Sequence, residues 1–508
     1  MPSASNTADV LIVGSGSAGA VLAARLTEDA SRTVLLLEAG PVYSLNEIPD
    51  SVLSASIVAD PGHDWGYIAR GSEEQRQIPT PRGKVLGGSS SVNAAVAIRP
   101  RSGDLAKWAS HGAEGWSYEE VLPTFRDMEN TPTGDDLYHG RTGPLSIRQR
   151  TLEELTPSLR GFVEAAESMG FKQADDFNGA DQEGAGGYPV NVVDEVRQST
   201  ALAYLTAEVR QRPNLTIVGD VNIDRVLLRG TTAVGVIADD GTEYRAYEVI
   251  LSGGTYGSPA ILMRSGIGPA PDLAVLDIDV VADLPVGRRM QDQTFVPNGF
   301  ALASDYLQMT PAVGSLVWTS SSSAVGDELD LQVTVTHLLP GSASPTGGSI
   351  VIAAAVVLPE STGSLRLASA DPNDPPVIDS NYAGTGRDAR RLLEAVKIGR
   401  EISRQPAFAR LTAGELMPGD SVSDDDLAGY VFRNLSVYGH PTSTVPMGGA
   451  DIPWAVVDSV GAVKGVDNLR VVDASIIPEV PSTVTNLTVI MIAERVFQRV
   501  YRSQSSKS

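Results

Sequence analysis

The residues best suited to chemistry near the start of the chain are a group of glycines and, about 20 residues further on, an acid, which together resemble a dinucleotide fingerprint. The group consists of Gly14, Ser15, Gly16, Ser17, Ala18 and Gly19, and the acid is Glu38. The first glycine permits a tight turn, the second lets the backbone approach a pyrophosphate, and the third lets a helix pack closely. The carboxylate of Glu38 is placed to accept hydrogen bonds from ribose hydroxyls and to repel a 2′-phosphate. The pattern predicts a dinucleotide cofactor other than NADP, and therefore redox chemistry.

The elements around this turn are those that such a site requires. Apolar residues at 10–13 and 34–37 predict two strands, and the pattern at 20–26 predicts the helix between them. The N-terminus of that helix directs N–H groups and the positive end of its dipole toward phosphates. The segment 8–40 therefore predicts a strand, helix and strand with the cofactor at the helix start.

Two later segments offer polar groups to the same cofactor. The sequence PRGKVLGGSSSVN at 81–93 contributes Gly88, Ser89, Ser90 and Asn93. Asp473 ends an apolar run, where carboxylates contact ligands at the carboxyl ends of strands. Asn93 and Asp473 also have a purely structural interpretation, as caps of short helices.

Length and composition restrict the class of protein. The chain has 508 residues, a formal net charge of −23 and no cysteine. The charge argues against nucleic-acid and anionic-membrane partners, and the lack of cysteine excludes disulfides and thiolate chemistry. No apolar run is long enough for a membrane span, and a first strand beginning by Asp9 leaves no room for a signal peptide, so we expect a cytoplasmic protein. No metal-binding motif is present, so no metal site is predicted.

The remaining patterns divide the chain. Alternation at 329–336 and 349–357 predicts an antiparallel sheet. Further strands are expected at 215–218, 224–228, 235–238, 244–246, 248–251 and 469–473, and helices at 108–129, 388–404 and 487–500. The tail 503–508 is expected to be disordered. The predicted fold class combines α/β and α+β: a discontinuous Rossmann-like domain (1–150, 200–293 and 446–508) and an inserted substrate domain on the antiparallel sheet (151–199 and 294–445).

Five ordered motifs resemble those of the glucose-methanol-choline (GMC) oxidoreductases, which are FAD enzymes. They are PRGKVLGGSSSVN (81–93), SGGTYGSPAILMRSGIGP (252–269), LPVGRRMQDQ (284–293), GHPTSTVPMG (439–448) and LRVVDASIIPEVPSTVTNLTVIMIAE (469–494). The third commonly ends in His, where this chain has Gln293. The resemblance implies further FAD contacts at Ala39, Ala94, Val96, Val221, Gly253, Gly254, Ala474, Thr483 and Thr485, with Val221 contacting adenine through its backbone. Some members attach FAD covalently through a His at the position of Val92, so we expect non-covalent FAD here.

The resemblance also indicates the catalytic base. Of five histidines only His440 lies in a family catalytic motif, and a neutral imidazole suits removal of a hydroxyl proton while hydride passes to flavin N5. Members usually carry a second His or Asn at the position of Val484, and valine neither donates nor accepts. Asn486 takes that place only if the local alignment shifts; otherwise we expect it to cap the last helix or hold backbone near the flavin.

The departure at Val484 favours the pyridoxine 4-oxidase branch, which also lacks a hydrogen-bonding side chain at that position. The expected reaction is oxidation of an alcohol, with pyridoxine to pyridoxal as first hypothesis and O₂ or another acceptor regenerating the flavin. Aryl alcohols, hydroxymethylfurans, sugars and choline-like alcohols remain open. A second class of function is an FAD-containing hydroxynitrile-type lyase, and a third is a non-catalytic flavin-binding protein.

Overall fold

The computed structural model describes residues 7–71, 77–419, 422–423 and 426–502. The tail 503–508, expected to be disordered, lies outside the described residues. Two large sheets dominate, and each carries helices. Within the described ranges, no helix combines the length and apolarity that crossing a membrane would need.

The first sheet is parallel at its centre. Its strands run, in order, Leu215–Val218, Val34–Leu37, Thr7–Val13, Glu243–Leu251, Thr232–Ala238 and Ile223–Arg229, with Leu469–Val471 also paired to Glu243–Leu251. The first four and Leu469–Val471 are mutually parallel, and the hairpin Ile223–Ala238 is antiparallel. All four residues of Val34–Leu37 are buried, as expected for a parallel strand covered on both faces. The predicted strand, helix and strand at the start of the chain is therefore present.

One strand corrects the sequence interpretation. The segments 244–246 and 248–251, read as two strands, form the single strand Glu243–Leu251. Its first half alternates between exposed and less exposed residues, while its last three residues are all buried. The pattern changes because the strand begins beside the antiparallel hairpin and ends inside the parallel sheet.

The second sheet is antiparallel, as predicted. Its strands run, in order, Thr412–Met417, Thr294–Leu302, Ser349–Val356, Leu331–Thr336, Val313–Thr319 and Gly184–Gly187, with Ser436–Val437 also paired to Thr294–Leu302. Side chains such as Val333, Val335 and Ile352 face a core completed by the helices Pro157–Ser168 and Gly386–Arg404. Residues on the alternate positions face the space between the two sheets, because successive strand side chains point to opposite faces.

Smaller strands connect these parts. A four-stranded sheet has the order Ser364–Arg366, Val377–Asp379, Ile68–Arg70 and Gln77–Pro79. The two-stranded pairs are Glu129–Asn130 with Leu145–Ser146, Arg148–Gln149 with Pro189–Val190, Val192–Val193 with Val196–Arg197, and Ile267–Gly268 with Ala282–Asp283.

The α-helices differ in two places from the sequence prediction. They are Gly19–Leu26, Asp50–Leu53, Ser102–Ser110, Tyr118–Met128, Pro157–Ser168, Thr200–Ala203, Ala207–Arg210, Gly254–Arg264, Ala270–Val275, Gly386–Arg404, Pro406–Ala409, Leu427–Arg433 and Asn486–Phe497. The helix expected at 108–129 is two helices, because Gly112 and Gly115 adopt positive φ between them. The last helix ends at Phe497, followed by a π-helical turn over Gln498–Arg502.

Candidate active site

A cavity of about 880 Å³ lies between the two sheets. Four parallel strands of the first sheet end at it in register: Val13 lies opposite Leu37 and Leu251, and Leu251 lies opposite Val471. The residues that follow these ends and line the cavity include Gly14, Glu38, Gly253 and Asp473. Segments distant in sequence therefore meet at the carboxyl edge of the sheet, where open α/β sheets bind ligands.

The glycine turn is built for close approach. Gly14 has φ +89°, and a Cβ at Gly19 would lie 1.9 Å from the Gly14 carbonyl oxygen. The helix Gly19–Leu26 therefore starts directly against the strand, with Gly16, Ser17 and Ala18 on the cavity wall before it. An anion placed there meets backbone N–H groups and the positive end of the helix dipole.

A second glycine brings the 81–93 segment onto this turn. A Cβ at Gly88, which has φ +53°, would lie 2.8 Å from the Gly16 Cα. Ser89 and Asn93 line the cavity, and the Asn93 side-chain oxygen accepts from the Ala95 N–H at 2.9 Å. The two small-residue loops therefore pack directly against each other, and both line the same cavity.

The two carboxylates at the strand ends are held by protein donors. Glu38 accepts from the Ser15 N–H at 3.0 Å, the Ser15 hydroxyl at 2.5 Å and the Gly40 N–H at 2.9 Å. Burial raises the pKa of Glu38. Asp473 accepts from the Gly254 N–H, the Ser258 hydroxyl, and the N–H and hydroxyl of Ser475. Burial raises the pKa of Asp473 as well. Asp473 thus does cap the short helix Ala474–Ile476, the structural alternative considered above, while also lining the cavity.

His440 lines the far part of the cavity. Its backbone N–H donates to Asp292 at 2.9 Å, and its ring lies edge-on to Tyr438 with centroids 4.9 Å apart. Its Nδ1 lies 2.6 Å from the Gln293 side-chain oxygen, and its Nε2 has no hydrogen-bond partner among the described residues. Burial, helped by the positive charge of Arg82, lowers the pKa of His440 to about 3. The imidazole is therefore neutral at ordinary pH.

Gln293 also connects His440 to the segment that carries Val484. Its side-chain nitrogen donates to the carbonyls of Val357 at 2.8 Å, Pro481 at 2.7 Å and Thr483 at 3.3 Å. One glutamine side chain therefore joins His440 to the backbone next to Val484. Val484 lines the cavity on one side and packs on the other against an apolar cluster that includes Val313 and Trp318.

The part of the cavity formed by the second sheet and its loops, called here the substrate end, is apolar with a few hydroxyls. Its lining residues are Tyr188, Phe295, Pro297, Val313, Thr334, Thr336, Leu338, Leu339, Val351, Ala353, Met417, Ser436, Val437 and Tyr438. None of these residues is charged, and the cation Arg82 lines the same cavity beside Gly439 and His440. The Tyr438 hydroxyl donates a hydrogen bond to the Gln332 side-chain oxygen at 3.2 Å and also makes a hydrogen bond with the Tyr188 side chain.

Comparisons with known protein families match both the N-terminal and the C-terminal parts of the chain to the same family. Two GMC oxidoreductase family models match residues 8–295 and 359–493. The chain belongs to the GMC oxidoreductase family.

Mitochondrial choline dehydrogenase of Mus musculus is 38% identical over 96% of this chain and 88% of its own length. The oxygen-dependent choline dehydrogenase of Vibrio vulnificus is 34% identical over 98% of this chain and 94% of its own length. The solved structure of pyridoxine 4-oxidase from Mesorbium loti has a TM-score of 0.88 and 31% identity, covering 97% of this chain and 99% of that one.

The site of this GMC oxidoreductase fits FAD, the cofactor of its family. The two glycine loops leave backbone accessible where a pyrophosphate would lie, and Glu38 lines the cavity beside the glycine turn while His440 lines it beside Tyr438. The same cavity runs without interruption from the glycine turn to the substrate end. A long cofactor whose reactive ring reaches the substrate end suits this shape.

Most residues predicted for cofactor or catalysis line this cavity. They are Gly14, Gly16, Ser17, Ala18, Glu38, Ala39, Gly88, Ser89, Asn93, Ala94, Val96, Val221, Gly253, Gly254, His440, Asp473, Ala474, Val484, Thr485 and Asn486. Their contacts with FAD stay predictions. Val484 and Asn486 both face the cavity, and the Asn486 side-chain oxygen accepts from the Ser17 hydroxyl at 2.7 Å. Asn486 is the first residue of the last helix, after Thr485, so the expected cap is wrong.

Four predicted cofactor residues lie behind the cavity wall. Ser15 holds Glu38, and Gly19 only makes room for the helix, as described above. Ser90 is buried, with its hydroxyl donating to the Gly87 carbonyl at 2.6 Å. Thr483 is buried, and its carbonyl accepts from Gln293. Other residues of the same predicted segments line the cavity, because the direction of each side chain within a tight loop depends on the packing behind it.

Sequence reasoning missed the roles of Gln293 and Arg82. The signal for Gln293 was its departure from the usual His of its motif. Arg82 donates to the Gly439 carbonyl at 3.0 Å, and its charge helps to lower the pKa of His440. Its only signal was a place in the first motif, since its partner is distant in sequence. Among the described residues, no cluster of three or more potential metal ligands occurs.

Proposed function

We propose that this FAD-dependent alcohol oxidoreductase oxidises a primary alcohol without a fixed charge, carried on a ring, to the aldehyde. Pyridoxine is the first substrate hypothesis and O₂ the proposed acceptor. The observation that carries this proposal is the substrate end, which presents aromatic, aliphatic and hydroxyl groups and, in the part of the chain described, no carboxylate, while the charged group beside His440 is the cation Arg82. Apolar walls with a few placed polar groups are typical of sites for small neutral ligands.

The roles of the residues follow from the geometry. His440 presents an unbonded Nε2 to the cavity and is neutral, so it is ready to accept the hydroxyl proton. Bound FAD supplies the acceptor for the hydride that leaves the alcohol carbon. The rings of Phe295 and Tyr438, with centroids 5.7 Å apart, form an aromatic wall of the substrate end.

Burial and the nearby charge of Arg82 disfavour an imidazolium at His440. The proton that His440 accepts therefore needs negative charge developed in the reaction to stabilise it.

Choline is the second candidate, because choline dehydrogenases are similar over nearly the whole chain. Aromatic faces bind quaternary ammonium groups by cation–π attraction, and Phe295 and Tyr438 offer such faces. The substrate end lacks a carboxylate to pair with the cation, however, and burying an unpaired charge is costly. We therefore place choline behind neutral alcohols.

The deciding experiment is an anaerobic absorbance titration of the purified holoprotein with pyridoxine, an aryl alcohol and choline. Bleaching of the flavin band by a neutral ring alcohol at lower concentration than by choline would support the proposal, and the reverse order would refute it. Readmitting air to the reduced protein tests O₂ as acceptor. A band that no alcohol bleaches would shift weight to the lyase reaction.

We also propose the domain division 1–150, 200–293 and 446–508 against 151–199 and 294–445. In support, the first sheet takes its strands from 7–251 and 469–471, and the second from 184–187 and 294–437. The four-stranded sheet joins the two parts by pairing Ile68–Arg70 with Val377–Asp379. The cytoplasmic location stays a prediction, since some relatives are named as mitochondrial.

A further inference from the structure

Gln293 has an amide whose orientation is fixed by its surroundings. Three backbone carbonyls, those of Val357, Pro481 and Thr483, surround one end of the amide within 3.3 Å. A carbonyl oxygen can only accept a hydrogen bond, so the end that faces the three carbonyls must be the NH₂ group. The opposite assignment would place four oxygens together without a proton between them. The oxygen of the Gln293 amide therefore points at His440.

This orientation determines which ring nitrogen of His440 carries the proton. The Gln293 side-chain oxygen lies 2.6 Å from Nδ1 and has no proton to give, so Nδ1 must donate. A neutral imidazole has one N–H, and the bond made by one nitrogen sets the state of the other. Nε2, the nitrogen without a partner among the described residues, is left with its lone pair.

We propose that Gln293 is a positioning residue that holds His440 in the tautomer with Nδ1–H and an unprotonated Nε2, and so prepares Nε2 to take the alcohol proton. This inference rests on the proposed function for its catalytic consequence but not for the tautomer itself. The proton on Nδ1 stays in place during the reaction, and the hydroxyl proton is transferred to Nε2.

The surrounding contacts show that this arrangement is built into the fold. Gln293 is fully buried. Its backbone carbonyl accepts from the Tyr438 N–H at 3.1 Å, and the neighbouring Asp292 accepts from the His440 N–H at 2.9 Å. Asp292 is held in turn by the Tyr382 hydroxyl at 2.6 Å. The two segments cannot shift against each other without breaking several of these bonds.

The chemistry also accounts for the residue type. Histidine, common at this position of the motif, has one ring nitrogen that accepts and one N–H that donates. Glutamine has the same polarity, with an acceptor at one end and a donor at the other. Either residue can therefore accept from Nδ1–H while donating to a carbonyl, whereas leucine, of similar size, can do neither.

The test is ¹⁵N NMR of histidine-labelled holoprotein, with the His440 signals assigned from the spectrum of the His440→Ala variant. The expected result is a protonated Nδ1 and an unprotonated Nε2 in the wild-type protein. Detection of Nε2–H as the main form would overturn the proposal, whatever the substrate is. This measurement needs no variant at Gln293, so it decides the question even if such variants fold poorly.

Variants then test the cause. Gln293→Leu is expected to populate the Nε2–H tautomer and to slow flavin reduction on the order of 10- to 100-fold, the range for losing one bond to a reacting group. Gln293→His is expected to restore the tautomer and most of the rate. Gln291→Leu is the matched control, because Gln291 is also buried, accepts a hydrogen bond from the Val480 N–H, and makes no hydrogen bond with His440 among the described residues. A Gln293→Leu protein with the wild-type tautomer and rate would refute the role.

Discussion

The departure at Val484 gives a perturbation whose direction can be worked out from the structure. Val484→Asn places an amide where one face of the side chain meets the cavity and the other meets apolar neighbours. Because Gln293 bonds both His440 and the Thr483 carbonyl, the new amide lies close to the place of proton transfer. It should therefore donate to the reacting oxygen of the alcohol.

The magnitude follows from two opposing effects. A hydrogen bond to an oxygen that gains charge contributes about 1.5–3 kcal/mol. Since about 1.4 kcal/mol is a factor of ten, flavin reduction should become roughly 10- to 100-fold faster. Against this, an amide that faces an apolar cluster without a partner costs about 1–3 kcal/mol of stability before substrate binds. The variant should thus be faster in reduction and lower in melting temperature.

The assay is anaerobic stopped-flow reduction at saturating alcohol, with the melting temperature measured on the same preparation. Val484→Ile is the control, because it keeps the apolar face, adds no donor, and should give no increase in rate. If Val484→Asn keeps its flavin but reduces no faster than wild type, the reacting oxygen does not lie beside this position. Loss of bound flavin would show that Val484 acts mainly in packing.

Four further predictions concern the cavity and the buried residues behind its wall. His440→Ala should slow flavin reduction about 10²–10⁴-fold, the usual contribution of a general base, while the flavin stays bound; unchanged reduction in stopped-flow would contradict its role. Gly88→Ala should lower the flavin content of the purified protein, measured by absorbance, because its Cβ would lie 2.8 Å from the Gly16 Cα; a full complement would oppose this. Acid precipitation should release all flavin into the supernatant, because Val92 offers no nucleophile; flavin in the pellet would indicate a covalent bond. Burial raises the pKa of Asp292 to about 6, so the folded protein holds the proton of this carboxyl more tightly than the unfolded chain does. The stability that this proton contributes is present at low pH and is lost as the pH rises through about 6. The Asp292→Asn variant does not lose this stability as the pH rises. Between pH 5 and pH 8 its unfolding free energy should therefore increase relative to wild type by about 1 kcal/mol, seen as a higher relative melting temperature, and a constant difference would contradict the raised pKa of Asp292.

Local patterns predicted the two strands and the helix around the glycine turn, because the residues that determine these elements lie within one short segment. The apolar run, the glycine turn and the next strand are contiguous, and Gly14 has the positive φ that such a turn needs. The alternation at 329–336 and 349–357 likewise follows from a sheet with one face on a core and the other on a cavity. The predicted strand ends were correct to within about two residues there.

Contacts between distant segments were not available to such reasoning. Ser15 was predicted as a cofactor-binding residue, but its N–H and hydroxyl donate hydrogen bonds to Glu38, which only the pairing of two strands brings near. Gln293 and His440 are 147 positions apart, and their contact depends on pairing between the segments around them. A motif shows that a position matters, whereas the direction of its side chain is set by the other side of the fold.

The two departures from the family pattern act on the same proton. In a catalytic pair, one residue can bind the hydroxyl while the other removes its proton. If one of the two is partly in the unsuitable tautomer, the other can therefore partly compensate. With valine at 484, His440 Nε2 is the nitrogen left to do both. A wrong proton on Nε2 would then turn the base into a donor and leave the alcohol proton without an acceptor. The fixed amide of Gln293 removes that failure. Hence the loss of Gln293 should be more damaging in this chain than in a variant carrying Asn at 484, and the two substitutions should not be additive.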